Sequence, residues 1–170
     1  MRYFTQPLAK SHKKSDFSCG NLLLDNYLHK QAGQDVKRKL SACFVLADES
    51  GFVKGYYTLS SSSIDKGELP EEIVKILPPS YENLPVTLLG RLARNEKNKG
   101  EGIGELLLLD ALKRSYDATK TVASMAIVVD PIDGIAVQFY AKYGFINLPT
   151  SGKMFIPMKT VSKLYGPSAG

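Results

Sequence analysis

Apolar residues recur along this chain in two rhythms, and the switches between them lay out its elements. In "CGNLLLDNYLHKQAGQD" (19–35), Leu24, Tyr27, Leu28 and Gln31 share one side at helical spacing, and Gly33 suits a stop. Two strand-like runs come next, "SACFVLAD" and "FVKGYYTLS", separated by "ESG", whose Gly51 suits a hairpin turn. The serines at 60–63 continue directly from a strand and read as its end rather than as a linker. "LPEEIVKILPP" predicts a short helix with Pro70 near its first turn and a Pro-Pro stop. "PVTLLGRLAR" is a strand, and "GELLLLDALKRSYDA" is a long helix. "VASMAIVVD" is apolar without alternation, as a strand buried on both faces would be. "DGIAVQFYAKY" is a further helix ended by Gly144, and "KMFIPMKTV" is a final strand. This order predicts an α/β (α+β) fold, a mixed central sheet flanked by helices. With no internal repeat and no linker, residues 1–170 read as a single domain.

Composition adds boundaries. Apolar content of 44% and charged content of 23% are ordinary for a globular protein. No run approaches membrane-spanning length, and the opening "MRYFTQPLAKSHKKSDF" lacks the apolar core of a signal peptide, so a cytoplasmic protein without a membrane partner is expected. Cys19 and Cys43 stand far apart, and His12 and His29 have no ligand spacing; two reduced thiols and no metal are expected. The net charge of +5 is compatible with an acidic partner without requiring one.

The candidate chemistry begins at "NKGEGIGELLLLDALKR" (98–114), where three glycines in five positions precede the leucine-rich helix. Glycines opening a helix leave backbone N–H groups bare at the positive end of its dipole, a ready anion site. The ATP-type phosphate loop needs Lys and Ser or Thr after its last glycine, but Glu105 and Leu106 come after Gly104. The dinucleotide pattern GxGxxG fails as well, because its third position, counted from Gly100 and Gly102, is Glu105. The remaining pattern is Lys99-Gly100-Glu101-Gly102-Ile103-Gly104: a basic residue, two spacers, and Gly-x-Gly opening a helix. A side chain at Gly102 or Gly104 would stand between backbone and phosphate or demand an unfavourable φ. Glu101 brings a negative charge into an anion loop, so its side chain should point to solvent.

This loop resembles the acyl-CoA loop of the GNAT acetyltransferases, Gln/Arg-x-x-Gly-x-Gly/Ala, with Lys99 in place of Gln or Arg. "AVQFYAKYGF" resembles the closing signature of the same family, and the two occur in the family's order and separation. The resemblance implies the GNAT fold and acetyl-CoA as acetyl donor. It implies a pyrophosphate held by the backbone of the loop, drawing in Lys99, Gly100, Gly102, Ile103, Gly104 and Glu105. It also implies a thioester carbonyl met by backbone N–H groups around Leu92 and Ala93, and a thiolate protonated by Tyr140.

Longer pieces extend the likeness. "FSCGNLLLDNYLHKQAGQD", "GYYTLSSSSI", "LPVTLLGRLARNEKNKGEGIGELLLLDAL", "VVDPIDGIAVQFYAKYGF" and "MFIPMKTV" are similar to the bacterial GNAT toxins of type II toxin–antitoxin pairs (TacT-type). That resemblance implies acetylation of the α-amino group of an aminoacyl-tRNA, which blocks translation. It implies a ribbon-helix-helix antitoxin as partner, and a homodimer. An ordinary GNAT enzyme acting on a small amine or a peptide is the alternative.

The chemistry asks for a donor to the oxyanion, a proton for the sulfur and a neutral amine. An α-amino group esterified to tRNA is less basic than a lysine amine, so no dedicated base is assigned. Tyr140 on periodicity alone is equally a core aromatic, with Tyr143 three residues on as the competing phenol; family position selects Tyr140. Arg91 and Arg94, alternating with apolar residues on the strand into the loop, and the run Lys37-Arg38-Lys39, with Lys13 and Lys14 upstream, are the cations available to a tRNA backbone. Each is also readable as plain surface charge.

Overall fold

The computed structural model describes residues 2–165. The strands are β1 (Gln6–Pro7), β2 (Ala42–Ala47), β3 (Val53–Asp65), β4 (Asn83–Arg94), β5 (Ala126–Val129), β6 (Ile146–Asn147) and β7 (Met154–Pro157). The α-helices are α1 (Leu22–Asn26), α2 (Ala32–Lys37), α3 (Glu71–Val74), α4 (Ile103–Ala118), α5 (Gly134–Lys142) and α6 (Met158–Tyr165). The sheet is mixed, in the order β1-β2-β3-β4-β5-β7-β6, with β4 and β5 parallel and the β2–β3, β5–β7 and β6–β7 pairs antiparallel. Among the described residues no helix is long and apolar enough to cross a membrane.

The described residues pack as two compact units, one formed by residues 2–60 with Leu89–Arg114, the other by Ser61–Leu88 with residues 115–165. In the first, Phe17, Tyr27, Leu28, Val45, Val53, Tyr56 and Ala93 form the core between the first helices and the strands. Gly55 lies where a Cβ would stand 2.8 Å from Leu107 Cδ1 and 3.0 Å from both Ile103 Cγ2 and the Ala93 carbonyl oxygen. A side chain there would lift the first turns of α4 off the sheet, so Gly55 sets how closely α4 approaches the strands. Further along α4, buried Asp110 accepts hydrogen bonds from Tyr57 Oη (2.6 Å), Thr5 Oγ1 (2.5 Å) and the Phe4 amide (2.5 Å). Arg114 neutralises it at 3.4 Å and donates to the Thr5 carbonyl at 2.8 Å. In the second unit Ile64, Leu84, Val86, Val128, Leu148 and Phe155 form the core, and all four residues of β5 are buried, as its unbroken apolar run requires.

Two expectations about elements are corrected. Gly33 does not stop the first helical stretch. A π-turn over Tyr27–Gln31, closed by the Ala32 N–H bonding the Tyr27 carbonyl, joins α1 to α2, which runs on to Lys37. The inserted residue rotates α2 relative to α1, so Gln31 is exposed and Ala32 takes the buried position. The serines at 60–63 do belong to the end of the strand, as expected, with β3 continuing to Asp65. The last strand ends at Pro157, and Lys159–Val161 lie in α6, whose Met158 and Val161 are buried at helical spacing.

Candidate active site

The glycine loop is carried between β4 and α4. Asn95 caps a short 3₁₀ turn (Glu96–Asn98), its side chain accepting from the Lys97 amide at 3.1 Å. Gly100 and Gly102 adopt φ of +87° and +73°, and nothing lies within 4 Å of where either Cβ would be. These are left-handed positions facing open space, which suits glycine and the close approach of a ligand to the backbone. The ladder of α4 begins with the Leu106 N–H bonding the Gly102 carbonyl at 3.1 Å, so the amides of residues 103–105 stand ahead of it at the helix start. The cradle fits a pyrophosphate in shape and polarity.

The individual residues divide by role. Ile103 is buried and anchors the helix start to the core, while Gly100, Gly102 and Glu105 are exposed. The Lys99 amide is engaged with the Glu96 carbonyl at 3.2 Å, which leaves its exposed side chain to meet an anion. Glu101 is exposed, as its charge demands, and it is also held: Asn98 Nδ2 donates to it at 2.8 Å and Lys54 Nζ pairs with it at 2.9 Å. Upstream on β4, Ala93 is buried and Leu92 half-buried.

The cations differ sharply. Arg91 lies over the Tyr27 ring, its Cζ 3.5 Å from the centroid, beside a groove lined by Leu23, Leu24, Lys30 and Gln31. Arg94 has one guanidinium nitrogen, Nη1, buried without a hydrogen-bond partner. Lys37, Arg38 and Lys39 are all exposed at the end of α2. Lys39 takes φ +61°, and the Leu40 and Lys39 amides bond the carbonyls of Asp35 (2.9 Å) and Val36 (3.2 Å), the paired bonds of a Schellman stop. Lys14 Nζ reaches this helix at Gly33, 4.0 Å from where a Cβ would stand, whereas Lys13 lies 4.7 Å from the centroid of the Phe52 ring.

Tyr140 lies in the second unit, on α5, whose start is capped by Asp133 accepting from the Ala136 amide at 2.8 Å. Its ring is 9% exposed and packs against Phe139 and Phe145, with centroids 5.3 Å away in each case. Burial pushes the phenol from its ordinary 10.0 up to about 12. Like any phenol it keeps its proton at neutral pH, and burial extends that range to higher pH. Tyr143 is the C-cap of the same helix, its amide bonding the Tyr140 carbonyl at 3.0 Å, and Gly144 comes next at φ +98°.

The thiols offer no competing chemistry. Both cysteines are free; burial pushes Cys19 up to about 11 and Cys43 up to about 12. Among the described residues no cluster of His, Cys, Asp and Glu could hold a metal. The sequence reading missed Lys54, Gly55 and Asn95, which make the loop's footing; the visible signal was a glycine inside the strand run "FVKGYYTLS".

No protein-family model matches the chain. It is 34% identical over 153 residues to the tRNA-acetylating toxin of Mycobacterium tuberculosis, a match covering 89% of this chain and 90% of that protein. Its structure superposes on a tyrosine-to-phenylalanine mutant of KacT with a TM-score of 0.88 and 29% identity, covering 94% of this chain and 97% of that one. It superposes on AtaT complexed with acetyl-methionyl-tRNAfMet with a TM-score of 0.87 and 27% identity, covering 95% and 98%. The AtaTR complex bound with AcCoA matches with a TM-score of 0.84 and 27% identity, covering 95% and 97%.

Proposed function

This chain belongs to the GNAT-fold tRNA-acetylating toxins of toxin–antitoxin systems, and from that membership we propose that its glycine loop, Tyr140 and basic residues act together to acetylate the α-amino group of an aminoacyl-tRNA. It is an acetyl-CoA-dependent N-acetyltransferase. The observation that carries the reading of the site is the loop itself: two left-handed glycines over open space, at the head of a helix held close to the sheet by Gly55.

In this reading the backbone from Gly100 to Glu105 receives the pyrophosphate of acetyl-CoA, with the Lys99 ammonium adding charge. Backbone amides around Leu92 and Ala93 meet the thioester carbonyl as charge builds on its oxygen. The amine nitrogen bonds to the acetyl carbon, the carbon–sulfur bond breaks, and one proton passes from nitrogen while one arrives on sulfur. Tyr140 supplies the proton at sulfur, and the proton leaving the amine restores its phenol. A phenol packed between aromatic rings and protonated at neutral pH suits this role.

Lys37, Arg38, Lys39, Arg91 and Arg94 are assigned to the tRNA. The buried, unpartnered Nη1 of Arg94 favours a role in meeting an anion, since an orphaned guanidinium nitrogen is costly until an acceptor reaches it. Both units are taken as parts of one catalytic domain, acting in the cytoplasm as a homodimer neutralised by a ribbon-helix-helix antitoxin.

The test offers the purified protein labelled acetyl-CoA and a panel of charged tRNAs. Label on an aminoacyl-tRNA, lost in Tyr140→Phe, is the expected result. Label appearing only on free polyamines or peptides would overturn the tRNA reading in favour of a metabolic or protein acetyltransferase. Growth arrest on expression, relieved by Tyr140→Phe or by the antitoxin, is the matching result in cells.

A further inference from the structure

A carboxylate in the middle of a pyrophosphate-binding loop opposes the ligand it should attract. Glu101 nevertheless stands between Gly100 and Gly102, the two left-handed residues of the loop. Both of its oxygens are committed: Oε2 accepts from Asn98 Nδ2 at 2.8 Å, and Oε1 pairs with Lys54 Nζ at 2.9 Å. These contacts, Asn98 first, hold its carboxyl below the usual carboxylate range.

Lys54 meets the loop at both ends. Its carbonyl accepts from the Asn95 amide at 2.8 Å, where the loop leaves β4, and its ammonium takes Glu101 just before α4 begins. Asn95 Nδ2 adds a bond to the Val53 carbonyl at 3.3 Å, fastening the same corner to β3. A Gly-Glu-Gly segment has wide backbone freedom when untethered, and ordering it on ligand arrival would cost affinity.

We propose that Lys54, Glu101 and Asn98 form a clamp that sets the phosphate loop in its binding conformation before acetyl-CoA arrives, which makes Lys54 and Glu101 positioning residues. The proposal rests on the reading of residues 99–105 as the acetyl-CoA loop. It explains why a negative charge is kept there: the carboxylate is a tether to β3, and its charge is offset by the lysine it recruits.

Electrostatics and positioning predict opposite signs for Glu101→Ala. Removing a negative charge should tighten binding of an anionic ligand if charge alone mattered. Loss of the clamp should instead weaken acetyl-CoA binding about two- to fivefold, the range of an exposed ion pair, and leave kcat at saturating acetyl-CoA unchanged. The charge swap Lys54→Glu with Glu101→Lys should recover affinity over either single variant, since Asn98 can turn its amide oxygen to the new lysine. Calorimetry with acetyl-CoA, on variants shown folded by circular dichroism, gives the readout. Tighter binding by Glu101→Ala, or a swap no better than the single variants, overturns the clamp. Gly104→Val separates the two claims. If it binds acetyl-CoA as wild type does, the loop assignment itself fails. If it abolishes binding while Glu101→Ala binds more tightly, only the clamp fails.

Discussion

The Arg91 Cζ stands over the Tyr27 ring, 3.5 Å from its centroid, while the Tyr27 hydroxyl donates to Asp35 at 2.9 Å. Burial, then that hydrogen bond, pushes the Tyr27 phenol up to about 12, so the ring is a fixed, neutral platform. A guanidinium seated over a ring can keep N–H groups free for an anion, and lysine cannot reproduce that geometry. Arg91→Lys should lower transfer to aminoacyl-tRNA about threefold or more, the worth of a partly desolvated cation–π contact, with acetyl-CoA binding unchanged. Equal loss in both assays would assign Arg91 to the fold instead.

Tyr140→Phe removes one oxygen from a ring packed between Phe139 and Phe145 and leaves that packing in place. Turnover should fall by roughly 10²–10⁴, the range for a positioned proton donor, with the melting temperature and acetyl-CoA affinity held. Tyr143→Phe, at the helix C-cap, should retain turnover. The reverse pattern would move the acid to Tyr143.

The raised phenol has a consequence for stability. Below pH 10 Tyr140 is protonated in both folded and unfolded chains and adds no pH dependence. Between its ordinary 10.0 and about 12 the unfolded chain releases the proton and the folded chain keeps it, so stability falls as pH rises. Tyr140→Phe should lose less stability than wild type between about pH 9 and pH 11 in denaturant titrations. Equal losses would show that burial does not hold the proton.

Lys39 spends a left-handed conformation, φ +61°, at the Schellman stop of α2. Glycine adopts it freely, so Lys39→Gly should stabilise the fold by about 1 kcal/mol. The same change should weaken transfer to aminoacyl-tRNA, because it removes one cation from the cluster with Lys37 and Arg38. Lys37→Ala with Arg38→Ala should weaken it further, and the dependence of transfer on salt should become shallower as phosphate contacts are lost. A variant that is stabilised and fully active would remove this cluster from the tRNA surface.

Features that depend on local periodicity and backbone permission were legible along the chain. The apolar run without alternation in "VASMAIVVD" read as a strand buried on both faces, and 126–129 form one. The glycines at 100, 102 and 104 marked a tight loop before a helix, although the left-handed residues are Gly100 and Gly102 while Gly104 already lies in α4. The ladder of α4 was legible in the leucine spacing after them. Only the family signature singles out Tyr140 as the proposed acid, because helical spacing does not tell a core phenol from a donor.

Features that depend on contacts between segments distant along the chain emerged only on packing. The π-turn at 27–31 arises where Tyr27 must meet both Arg91 and Asp35, a demand that no 3.6-residue rhythm encodes. Asp110 looks misplaced in "LLLLDAL" until Thr5, Tyr57 and Arg114 converge on it. Glu101 reads as a charge in the wrong place until Lys54, forty-seven residues earlier, comes within 2.9 Å. In each case local sequence supplies the group, but the partner that gives it meaning arrives only when the strands and helices pack, because a charge or a strained turn is stabilised by its surroundings in space.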